Sequence, residues 1–140
     1  MAFVIDASVA LASCFTDERS PYVVSVTSAL AAEPAHAPAI WPLEVLNGLL
    51  VAERRKRATS DQVSRLLEFL ASLPIEVSAP RPLDAGGPEV RLARQFQLTA
   101  YDTAYISLAQ RREIPLATID ARLRKAAAAA GVQIFKPKRT

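Results

Sequence analysis

Four acidic side chains interrupt segments that otherwise read as core. Asp6 ends the apolar stretch FVI, and Asp120 ends PLATI in the same way. Glu44 lies in IWPLEVLNGLLVA, a helical pattern apolar nearly all round, where it shares a face with Asn47, Gly48 and Val51. Such a helix is expected to be mostly buried, with Glu44 and Asn47 as its polar groups. Asp102 lies in LTAYDTAYISLA, on one stripe with Tyr105, Ile106 and Ala109.

Each acid has an ordinary explanation. Asp6 and Asp120 precede helical patterns, and aspartate is a favoured helix N-cap. Glu44 falls close behind a helix-opening proline, Pro42. Asp102 stands three residues after Thr99, a spacing that resembles a capping box. Taken together, these explanations become an argument for a site. All four acids fall at helix starts, and in a parallel α/β sheet the helices that follow strands begin at the carboxyl edge, where ligands bind. Asp6, Glu44 and Asp120 follow strands and should meet there; Asp102 follows a helix and is drawn inward by its apolar stripe. Like charges and burial both oppose ionisation, and unpaired buried charge costs several kcal/mol per ion, on the order of ten times what a helix N-terminus returns. With no basic partner assigned to any of the four, a divalent cation is the simplest counter-charge. Carboxylates without histidine or cysteine favour a hard ion, Mg²⁺ or Mn²⁺.

Other chemistries lack parts. The chain has one histidine, His36, and one cysteine, Cys14, so triads, internal disulfides and Cys/His zinc sites have no residues to build from. Cys14 has apolar neighbours and reads as an inert thiol. The net charge is +3, with basic residues grouped at 54–57 and at Lys136, Lys138 and Arg139. This permits a polyanionic partner without requiring one. No stretch approaches the ~20 apolar residues of a membrane span. The start lacks a positive leader and Asp6 breaks its apolar run, so a cytoplasmic location is expected.

The elements that must position these acids alternate. Strands are expected over 2–6, 36–40, 75–77, 115–119 and 132–135. Helices are expected over 8–15, 21–32, 42–57, 61–72, 88–96, 99–112 and 121–130, with Ser60 and Asp61 capping the fourth and a loop at 82–88. At 140 residues and 51% hydrophobic composition the chain suits one domain spanning 1–140. Short apolar strands between amphipathic helices predict an α/β fold with a parallel sheet covered on both faces.

FVIDASVAL with Asp6, PLEVLNGL with Glu44, TAYDTAYISLA with Asp102 and LATIDARLRKAA with Asp120 together resemble the PIN-domain family, most closely its VapC ribonuclease toxins. The resemblance runs through essentially the whole chain in order. It implies a three-layer α/β/α sandwich around a mainly parallel sheet of four or five short strands. It implies an Mg²⁺- or Mn²⁺-dependent endoribonuclease that leaves 5′-phosphate and 3′-hydroxyl ends, a VapB-like antitoxin partner, and a homodimer. The family's acidic quartet matches Asp6, Glu44, Asp102 and Asp120. Ser8 and Thr118 match the small hydroxyl positions beside it, and with Asn47 would support the ligands. Tyr101 and Tyr105 flank Asp102 and could stack on a base, although core packing suits Tyr105 better. Three other readings stay open: a PIN nuclease of RNA processing without an antitoxin, a non-catalytic module binding RNA or protein, and phosphatase-type chemistry on Asp6. The last expects a second aspartate where Ser8 stands.

Overall fold

The computed structural model describes residues 1–138. Arg139, the end of the C-terminal basic group, lies outside the described residues.

Four strands form one sheet in the order β3-β2-β1-β4, and every neighbouring pair is parallel. They are β1 (Phe3–Ile5), β2 (Ala35–Ala37), β3 (Ile75–Val77) and β4 (Leu116–Ala117). Among the described residues, seven α-helices connect and cover them: α1 (Ala7–Ser13), α2 (Pro21–Ala29), α3 (Trp41–Arg54), α4 (Ser60–Ser72), α5 (Pro88–Phe96), α6 (Ala100–Arg112) and α7 (Ala121–Ala129). Helix α1 packs against α2 and α3, and α3 against α4; α5 packs against α6, which also lies on β1 and β4. All three β1 residues are buried, as a central parallel strand covered on both faces requires. This is the α/β/α architecture that the alternation predicts.

β3 has the expected bounds, whereas the other strands are shorter than the sequence suggests, and a proline accounts for one of the cuts. β2 stops at Ala37 because Pro38 has no N–H to extend a ladder, and it begins at Ala35 in register with Phe3. The expected strand at 132–135 shrinks to one bridge, Ile134 beside Leu116. Its flanking bonds, Leu116 N–H to Gln133 O and Phe135 N–H to Leu116 O, continue the parallel pattern, and Pro137 follows closely. Phe135 stacks on Phe3 with ring centroids 4.0 Å apart, which fixes this C-terminal segment to the core. β3, an edge strand, is half-buried at Ile75 and exposed at Glu76 and Val77.

Three local expectations change. Thr59, not Ser60 or Asp61, caps α4, in a capping box with Gln62. A short 3₁₀ turn at Thr16–Glu18 interrupts the connection between α1 and α2. Helix α3 is not buried all round. Trp41, Val45, Leu49 and Ala52 form its buried stripe, while Leu43 and Asn47 face solvent and Glu44 is half-buried. Gly48 provides the close approach of α3 to α1, since a Cβ there would fall 2.5 Å from Leu11 Cδ1.

Candidate active site

The carboxyl edge of the sheet carries the candidate site. Asp6 directly follows β1, and its N–H donates to Ala117 O of β4, 2.9 Å away. Asp120 follows β4 as the N-cap of α7, Glu44 lies in the first turn of α3 after β2, and Asp102 lies in the first turn of α6.

Only Asp120 behaves as a simple cap. Its Oδ1 accepts the N–H groups of Arg122 and Leu123, at 2.9 and 3.3 Å. Asp6 occupies the N-cap position of α1, yet its side chain makes no capping bond. Its Oδ2 instead accepts Ser8 Oγ–H at 2.6 Å and Thr118 Oγ1–H at 2.7 Å. The helix at Asp102 is capped by Thr99, whose Oγ1 accepts the Asp102 N–H, while the Asp102 carboxylate turns elsewhere. Glu44 Oε1 accepts the hydroxyl proton of Tyr105 at 2.6 Å. Three of the four acids thus direct their carboxylates away from helix capping.

Thr118 organises the Asp6 corner. It is fully buried, donates to Asp6, and accepts the Asp120 N–H at 3.1 Å, so one hydroxyl links two acids. Ser8 lies 3.3 Å from Thr118 and accepts the Ile119 N–H, which ties α1 to the end of β4. These neutral donors hold the Asp6 carboxylate without cancelling its charge.

The acids sense one another. Burial pushes the Asp6 carboxyl up; the Ser8 and Thr118 hydroxyls and the Ala7 amide oppose this, and the Asp120 charge adds to it. Burial also raises Glu44, against the Tyr105 hydrogen bond and with the charges of Asp6 and Asp102. The Tyr105 hydroxyl is raised by burial first and by Glu44 second, so it stays protonated and remains a donor. Among the described residues, no three His, Cys, Asp or Glu side chains close into a ready-made cage.

One expectation is overturned. The acids are not without a basic partner: Arg122 Nη2 donates to Asp102 Oδ2 at 3.0 Å. Arg122 is only two residues past Asp120, and that proximity was the available signal. Tyr105 is a core residue, as its stripe predicts, at 1% exposure, and is therefore unavailable for stacking; its hydroxyl's grip on Glu44 has no sequence signature. Tyr101 is 59% exposed beside Asp102. Asn47 shares the Glu44 side of α3 but is exposed, since the stripe that turns inward is the Trp41 one. Cys14 is half-buried, its thiol is raised by burial, and it donates to Ala10 O, in keeping with an inert role.

A family model for the PIN domain matches residues 3–129. The chain belongs to the PIN domain family. Its relatives include Ribonuclease VapC3 of Pyrobaculum aerophilum, 32% identical over 127 residues, covering 88% of this chain and 92% of the relative. Ribonuclease VapC12 of Mycobacterium tuberculosis is 29% identical over 120 residues, covering 86% and 88%. A solved Pyrobaculum aerophilum structure superposes with a TM-score of 0.66 at 23% identity, over 90% of this chain and 79% of that one. FitAcB from Neisseria gonorrhoeae gives 0.64 at 17% identity, over 96% and 97%. VapBC2 from Rickettsia felis, bound to a DNA fragment from their promoter, gives 0.61 at 10%, over 96% and 98%. At these low identities the structural likenesses speak for the PIN fold, while the curated relatives are VapC-type. Among the described residues, no helix of this PIN protein is long and apolar enough to cross a membrane.

Proposed function

We propose that this PIN protein is a divalent-metal-dependent endoribonuclease and the toxin of a toxin–antitoxin pair. The observation that carries the catalytic reading is Asp6. It is a buried carboxylate at the carboxyl edge, held by two hydroxyls, without a cation of its own among the described residues, beside three further acids. The toxin role is supported by relatives named as VapC ribonucleases.

The donor set suits the ion. Asp6, Glu44, Asp102 and Asp120 offer hard carboxylate oxygens, the preferred ligands of Mg²⁺ and Mn²⁺. Asp6 and Asp102 would bind directly, with Glu44 and Asp120 completing the shell or holding its waters. When bound, the ion supplies Lewis-acid polarisation of the scissile phosphate and a more acidic water. The chain's own residues do the positioning. Ser8 and Thr118 fix the Asp6 carboxylate, and Tyr105 fixes Glu44. Such supporting bonds set ligand orientation and basicity.

An RNA substrate follows from the relatives' names, and Tyr101 offers an exposed ring for an unpaired base. A VapB-like antitoxin and a homodimer are part of the same proposal, as is a cytoplasmic location. Co-purification with the product of an adjacent small gene would distinguish a toxin from an RNA-processing PIN nuclease. The test of the chemistry is Asp6→Asn on RNA with Mg²⁺ or Mn²⁺. Cleavage should vanish in the variant and in wild type with EDTA, with circular dichroism unchanged. Wild-type rates in the variant would overturn the assignment.

A further inference from the structure

Arg122 is the one basic side chain among the described residues that is ion-paired to an acid of this edge. Its backbone is fixed and its head is not. The Arg122 N–H donates to Asp120 Oδ1 in the first turn of α7. The side chain is 74% exposed and reaches Asp102 through Nη2 alone, at 3.0 Å. The carboxylate end is mostly buried, at 16% exposure, so the exchangeable partner is the exposed guanidinium, held by a single bond. Arg124, two residues along, is the opposite case. Its Nε donates to Thr118 O at 2.7 Å and its guanidinium lies 4.7 Å from the Tyr22 ring centre, so it is built into the structure.

We propose that Arg122 is a hand-over residue: it neutralises Asp102 in the free protein, and once a divalent cation takes that carboxylate, the released guanidinium grips an RNA phosphate at the site. The inference rests on the reading of the acidic edge as a metal-dependent nuclease centre. A guanidinium and a metal ion compete for the Asp102 carboxylate, because both are cations and each disfavours the other. Once released, Arg122 stays tethered beside the acids by its backbone. A phosphate brought to this edge otherwise meets four carboxylates. A planar fork of N–H donors next to them is suited to accept it and offsets that repulsion. One side chain therefore weakens metal binding and strengthens RNA binding, a combination that a merely structural arginine would not produce.

The test compares Arg122→Gln with Lys125→Gln, an exposed position on the same helix that loses the same charge. In calorimetric titration with Mn²⁺ alone, Arg122→Gln should bind about three- to fivefold more tightly than wild type, and Lys125→Gln within about twofold. On single-stranded RNA, Arg122→Gln should raise KM several-fold with little change in kcat. The slope of log(1/KM) against log salt should become shallower by about 0.7, the loss of one phosphate contact. Arg122→Lys keeps the charge without the fork, so its Mn²⁺ affinity should stay near wild type while KM falls between the two. An Arg122→Gln variant that binds Mn²⁺ no better than wild type, or no better than Lys125→Gln, overturns the proposal. So does an unchanged KM and salt slope. If wild type itself neither takes Mn²⁺ nor cuts RNA, the metal-centre reading fails and the hand-over with it. If wild type does both and Arg122→Gln matches it, only the hand-over falls.

Discussion

Two corners of one acidic edge handle charge in opposite ways. At the first, Asp6 is 6% exposed and is held by Ser8 and Thr118, neutral groups that orient a carboxylate without balancing it. At the second, Asp102 is paired to Arg122, a cation that is 74% exposed. The first corner is rigid and in charge deficit; the second is balanced and exchangeable. Fixed donors supply geometry and leave the electrostatic demand for an incoming cation. A resident arginine removes that demand until something displaces it.

Breaking the rigid corner should have the largest effect. Thr118→Val removes the hydroxyl that links Asp6 to the Asp120 amide while keeping the side-chain volume. Metal affinity and RNA cleavage should fall roughly 10- to 100-fold, the usual cost of losing a ligand's supporting bond. Calorimetry and a fluorogenic RNA assay would measure both.

Tyr105→Phe is the next largest. It removes the donor that lowers Glu44, so Glu44 should titrate higher still. The acid limb of the cleavage pH profile should move to higher pH, and activity at neutral pH should fall several-fold at most, on the order of the ~1.4 kcal/mol or less expected of one hydrogen bond. An acid limb that stays in place would separate Glu44 from the titration.

The two corners should also differ in stability without metal. Burial raises Asp6, so the native state holds its proton more tightly than the unfolded chain does. Stability is then lost as pH rises from the ordinary carboxylate value through the raised one. Asp6→Asn should therefore raise Tm at pH 7 by a few degrees and by less in acid, on the scale of about 2–8 °C per kcal/mol. Asp102→Asn removes a pair whose arginine is largely exposed and keeps a polar side chain at the mostly buried position, so it should lower Tm slightly or leave it unchanged, by about 0–1 kcal/mol. Opposite signs at the two positions sharpen the contrast, whereas equal shifts would erase it.

The sequence carries the rigid corner better than the exchangeable one. Asp6 and Asp120 end apolar runs, and the strand–helix alternation predicts where a parallel sheet puts such residues. Ser8 sits within the same local stretch, and Thr118 two residues before Asp120. These relations are short-range, so spacing exposes them. Arg122 reaching Asp102 is a contact between α7 and α6, set by packing rather than by local pattern. Tyr105 reaching Glu44 is likewise between helices, 61 positions apart. The exposure of Asn47 has a related origin: α3 is apolar nearly all round in sequence, and packing against the core selects the Trp41–Val45–Leu49 stripe as the inward one. The end of β2 was obscured by Pro38, whose missing N–H stops the strand at Ala37, three residues before the expected strand ends.

The measurement closest to the central claim is a Mn²⁺ titration of the purified protein at pH 7, followed by calorimetry, with Asp6→Asn beside wild type. The account predicts saturable binding to wild type and affinity weakened at least about tenfold in the variant, the loss of a ligand exceeding that of its support. Equal affinity in the two proteins, or no binding to wild type, would contradict it.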